Sequence, residues 1–139
     1  MDDVRLRTGE AVRYASRSKQ LGAAAIDAYV QESITALRRE FAAAGDPFTQ
    51  YHGCSKADEQ IVEVCLPTDD GDNELPEQQL ICTVVRGHEC DYPEILAAYD
   101  ALAAHAKEIG RELDGPPRET YLVDPGNRTA QMEVAFPLL

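Results

Sequence analysis

Apolar residues recur along this chain with two different periods, and the change from one to the other marks out the elements. Ile26, Tyr29, Val30, Ile34, Leu37 and Phe41 keep to the spacing of a single helix face, and Gly45-Asp46-Pro47 stops the run. A second stripe holds Ile95, Leu96, Tyr99, Leu102, Ala103, Ala106 and Ile109. Ahead of it, Asp91-Tyr92-Pro93-Glu94 reads as a helix start, with Asp91 as cap, Glu94 at the capping-box position and Pro93 in the first turn. Gly110, or the later Gly115-Pro116-Pro117, ends this helix. The segment from Gln79 to Val85 is apolar and β-branched, which predicts a strand. Phe48 to Gly53 and Gln60 to Leu66 read as two further strands. So do Arg118 to Val123 and Thr129 to Phe136, joined by an Asp124-Pro125-Gly126-Asn127 turn.

The two halves align under a shift of 70 residues, which lays Gly45 on Gly115, Pro47 on Pro117, Tyr51 on Tyr121 and Pro67 on Pro137. Ala28-Tyr29 falls on Ala98-Tyr99 and Glu63-Val64 on Glu133-Val134, so turn residues and aromatics recur together. The expected fold is therefore α+β, a duplicated β-α-β-β module with pseudo-twofold symmetry. Residues 1–139 make one domain, with a first repeat over about 1–68, an acidic linker over about 68–79 and a second repeat over about 77–139. The paired units form an antiparallel sheet with both helices on one face and a ligand cleft on the other.

Alternation along the strands sorts the side chains. Val62, Val64 and Leu66, and likewise Met132, Val134 and Phe136, are expected beneath the helices. Leu122 is assigned to the same side. The open face then carries Glu63, Glu119 and Glu133 with Tyr51 and Tyr121. Carboxylates beside aromatic rings suit a flat cation, since the rings attract positive charge and a carboxylate balances it. Glu63 and Glu133 equally fit solvated residues on a wet sheet face. The reading requires Glu119 to project into a hollow; a Glu119 tucked beneath the helices would remove its basis.

Charge narrows the partners. With 25 Asp and Glu against 13 Lys and Arg the net charge is −12, the wrong sign for counterion-driven binding of DNA or RNA. Such a field draws cations or simply keeps the protein in solution. No run approaches the roughly 18–20 apolar residues of a membrane span, and the first residues lack the apolar core of a signal peptide, so a cytoplasmic protein is expected. Cys54, Cys65, Cys82 and Cys90 form no CxxC pair and read as thiols. The H-x-C spacing of His52/Cys54 and His88/Cys90 is poor zinc geometry, so neither a metal nor a cofactor is expected. No GxSxG, phosphate loop or HExxH is present.

Gly115-Pro116-Pro117-Arg118-Glu119-Thr120-Tyr121-Leu122 followed by Asp124-Pro125, the closing Met132-Glu133-Val134-Ala135-Phe136-Pro137, and Val85-Arg86-Gly87-His88 before Tyr92 together resemble the gyrase-inhibitor-like (GyrI-like) family. That family includes the effector-binding domains of multidrug-responsive MerR- and AraC-type regulators, and the resemblance covers nearly the whole chain. It implies a lipophilic cationic or polyaromatic small molecule held between the halves, with Glu119 contacting the ligand and Tyr51, Tyr92 and Tyr121 as aromatic walls. Cys90-Asp91-Tyr92 departs from the Gly-Pro-Tyr common in the family, and Trp is absent. Two other functions remain open. One is a small hydrolase of reactive cyclopropane-type genotoxins, with Glu119 activating water and Tyr121 donating a proton. The other is a gyrase-type inhibitor whose acidic surface engages a protein partner. The fold uses up the 139 residues, so a gene-regulatory role would need DNA contacts from elsewhere.

Overall fold

A computed structural model describes residues 1–123 and 130–139. The described residues form one eight-stranded sheet, antiparallel throughout, with two α-helices. In chain order the elements are β1 (Arg5–Gly9), β2 (Val12–Gly22), α1 (Ala23–Glu40), β3 (Phe48–Tyr51), β4 (Glu59–Pro67), β5 (Asn73–Leu75), β6 (Gln78–Arg86), α2 (Leu96–Glu108), β7 (Arg118–Tyr121) and β8 (Gln131–Pro137). The sheet order is β1-β6-β8-β7-β3-β4-β2-β5. It reads alike from both ends once β2-α1-β3-β4 is exchanged for β6-α2-β7-β8. The α+β class, the antiparallel sheet and the placing of both helices are as the sequence predicts.

Each helix rests on flanking strands, α1 on β2 and β4, α2 on β6 and β8. Val30, Ile34 and Leu37 of α1 and Ala98, Leu102 and Ala106 of α2 are buried against Val62, Val64, Leu66, Ile81 and Val134. The inward trios of β4 and β8 thus land where alternation puts them. The other sheet face carries only small apolar clusters, Tyr14 with Phe48 and Cys65, and Leu80 with Cys82 and Ala135. Among the described residues no helix is long and apolar enough to cross a membrane.

Several local expectations are corrected. The acidic segment read as a linker contains β5, which pairs with Val12, Arg13 and Tyr14 of β2. What makes this possible is Gly71, buried so tightly on the backbone of Tyr14 that any Cβ would overlap it. The second helix begins at Leu96, because Gly87–Cys90 first makes a separate 3-10 turn closed by Glu89, which accepts from the Arg86 backbone N–H at 3.1 Å. Leu96 at the start of α2 and Ile109 just past its end are exposed. Leu122 lies beyond the end of β7 and is exposed, not packed under a helix. The Asp124–Asn127 turn and Thr129 lie outside the described residues.

Candidate ligand-binding cavity

Strand register, rather than apolar character, decides which way Glu119 points. Glu119 stands opposite Thr49 on one side and Val134 on the other, and Tyr121 stands opposite Met132. Val134 and Met132 belong to the core under the helices, so Glu119 and Tyr121 share that face. This corrects the expected cleft on the helix-free side. The helices sit on flanking strands and leave β3 and β7 beneath the gap between them. That gap is a cavity of about 1260 Å³, walled by Ile26 and Val30 of α1 and by Ile95 and Tyr99 of the second helical segment. Glu119, Tyr51, Tyr121 and Met132 line its base. Glu119 is therefore on the helix side but between the helices, facing an open hollow.

The carboxylate of Glu119 is 7% exposed. Its Oε1 accepts from the Tyr51 hydroxyl at 3.1 Å and its Oε2 from the Tyr99 hydroxyl. Both partners are neutral, and among the described residues no Lys, Arg or His forms an ion pair with it. Burial pushes the Glu119 carboxyl above the ordinary range; the tyrosine hydrogen bonds pull it back, and the charge of Asp27 adds to the rise. Burial, followed by the field of Glu119, drives the phenols of Tyr51, Tyr99 and Tyr121 upward, so they stay protonated donors. The Tyr121 hydroxyl is engaged with Thr49 Oγ1 at 2.8 Å. Among the described residues the hydrogen bonds to the Glu119 carboxylate come from Tyr51 and Tyr99, not from Tyr121.

The cavity gathers four of the residues singled out in the sequence: Glu119, Tyr51, Tyr121 and Tyr92. Tyr92 stands at its mouth, 70% exposed. Glu63 and Glu133 point to the opposite face and are excluded by the same register, since Glu133 pairs with Thr120 and Glu63 with Gln50. Each is already satisfied there. Glu133 receives both Nε and Nη2 of Arg7, with Arg5 at 3.7 Å, and Glu63 accepts from Gln50 at 3.1 Å and meets His52 Nε2 at 2.8 Å. Sequence reading placed Tyr99 in an apolar stripe and opposite Tyr29 in the repeat, and gave it no part in the site. Its signal was there: a phenol facing a core must find a partner for its hydroxyl, and Ala98 and Ala106 supply little else on that helix face. The ring packs edge-on against Phe136 with centroids 5.7 Å apart, which holds the hydroxyl toward Glu119.

No protein-family model matches this chain, and no curated protein matches it. Solved structures do. The chain is similar to EcmrR as seen in the cryo-EM structure of its DNA complex in EcmrR-RPo, with a TM-score of 0.77 and 19% identity over 98% of this chain and 57% of that one. It is similar to the crystal structure of the EcmrR C-terminal domain, with a TM-score of 0.73 and 19% identity over 99% of this chain and 97% of that one. SAV2435 bound to tetraphenylphosphonium is similar at a TM-score of 0.69 and 9% identity, covering 99% of this chain and 94% of that one. The chain thus shares its fold with the EcmrR C-terminal domain and with SAV2435. The chain spans 57% of the EcmrR chain on DNA and matches its C-terminal domain almost end to end.

Proposed function

We propose that this chain is a small-molecule-binding module that takes a lipophilic aromatic cation in the cavity between its helices, with Glu119 as counter-charge. The observation that carries this reading is a buried carboxylate whose partners among the described residues are neutral phenols. An ionised group taken out of water is costly unless something balances it. A cation in the cavity supplies that balance, and the aromatic residues Tyr51, Tyr99 and Tyr121 are among those that line the space around it. The tetraphenylphosphonium in SAV2435 supports this ligand class, and the likeness to EcmrR supports a sensing role in which DNA contacts lie outside these residues. The mirrored strand order supports reading the chain as two copies of one β-α-β-β unit that meet at the cavity.

Calorimetric titration with tetraphenylphosphonium and with neutral triphenylphosphine oxide tests the reading. Tetraphenylphosphonium has no N–H or O–H, so its attraction to Glu119 is coulombic, on the order of 1–4 kcal/mol at contact. Glu119→Gln should therefore weaken the cation about 10- to 100-fold and leave the neutral compound unchanged. Equal losses for both would mean damaged packing and would overturn charge recognition.

A further inference from the structure

Glu119 does not face the cavity alone. α1 turns one side toward it, Ala23, Ile26, Asp27, Val30 and Gln31, a helical spacing that leaves Asp27 as the single charged group among them. Asp27 is exposed at the cavity edge, and its field reaches Glu119 across the hollow. At the rim Glu59 has Lys56 at 3.0 Å and Asp91 has His88 at 3.6 Å. Asp27 has no ion pair among the described residues, and no Lys or Arg lines the cavity. Glu119 at the base and Asp27 at the edge thus face a common space with no Lys or Arg between them; Asp58 also lines the edge without an ion pair among the described residues, but Asp27 is the acid whose field reaches Glu119.

We infer that the cavity selects an aromatic bis-cation, with one head held by Glu119 at the base and the second by Asp27 at the edge. The inference rests on the proposed cation-binding reading and adds a charge count to it. A monocation relieves only the buried carboxylate and leaves Asp27 to water. A bis-cation meets both, and its aromatic span lies along the apolar walls of Ile26, Val30 and Ile95. The large volume, above the usual range of roughly 300–1,000 Å³ for ligand pockets, gives room for such an elongated guest.

Amidines make suitable probes, because a planar amidinium grips a carboxylate through two hydrogen bonds. The pair to compare is a pentane-linked bis(4-amidinophenyl ether) and its partner in which one amidine is a neutral carboxamide, titrated calorimetrically at fixed salt. The parent protein should bind the bis-amidine at least about fivefold more tightly, a modest value for an exposed second contact. Asp27→Asn should bring the two within about twofold, the statistical advantage of a ligand with two heads, with mono-amidine affinity changed by less than about threefold. Glu119→Gln should weaken both. If the parent binds the two ligands equally, or Asp27→Asn leaves their ratio intact, the role of Asp27 is overturned while Glu119 as counter-charge stands. If neither amidine binds, or Glu119→Gln changes neither, the cation-binding reading falls and the inference with it.

Discussion

Glu119 sits in an electrostatic conflict. Two phenol hydroxyls stabilise its charged form, yet burial and the field of Asp27 push the other way and prevail, raising its pKa above the ordinary 4.5. A carboxyl whose folded pKa lies above its unfolded one binds more protons in the folded state between the two values. Stability from this group is therefore complete below the unfolded pKa and is lost as pH rises through the folded one. At neutral pH the empty protein carries that cost. Glu119→Gln, which keeps an acceptor for one tyrosine and removes the charge, should melt at a higher temperature than the parent at pH 7. The gap should close at about pH 4, where parent Glu119 is protonated folded or unfolded. Thermal melts at the two pH values decide it, and an unchanged gap would assign the effect to packing. A stabilised variant that has lost cation affinity would also show that the site is held against the interest of the fold.

Elements show what the chain discloses by itself. The helix stripes and most strands are legible because hydrophobic period alone specifies them, and the inward trios of β4 and β8 follow from alternation. The face of Glu119 is not. β7 is only four residues long, Arg118–Tyr121, too short for its own pattern to fix a face. Leu122 looks like its anchor and lies past its end. Only the pairing of Glu119 with Val134 settles the direction, and register is a property of two strands. β5 is hidden for another reason. Two of its three residues are polar, with Leu75 alone packing on the Tyr14, Phe48 and Cys65 cluster, and it is seated by Gly71, which lets the chain press against Tyr14 while Arg13 Nη1 donates to the Gly71 carbonyl at 3.1 Å. A methyl group there has nowhere to go, and overpacking of this kind costs about 1–3 kcal/mol. Gly71→Ala should lower the urea midpoint accordingly and raise hydrogen exchange at Asn73–Leu75, with cation affinity within about twofold at low temperature since the cavity is distant. Loss of binding in the folded variant would show that the β5 edge is coupled to the site.

Taken whole, the molecule is an acidic body with an acidic hollow. The net charge of −12 spreads over the surface, while Glu119 sits at the base of a space lined by apolar and aromatic groups. These two populations of charge answer differently to salt. Surface charges act through solvent, where screening shortens their reach from about 30 Å at 0.01 M salt to about 3 Å at 1 M. The base of the cavity is shielded by protein, and a cation seated there interacts over a few ångströms with little salt between. On the proposed reading, long-range attraction governs how often a cation arrives and the contact at Glu119 governs how long it stays. Stopped-flow binding of a cationic rhodamine should show an association rate falling about tenfold across that range. The dissociation rate should move less than about threefold. A neutral dye of similar size should show neither change, which separates steering from viscosity or ion occupancy. If instead salt accelerates dissociation and leaves association alone, the cation is held at the rim by solvated acids, and the tyrosine-bound carboxylate between the helices is not its seat.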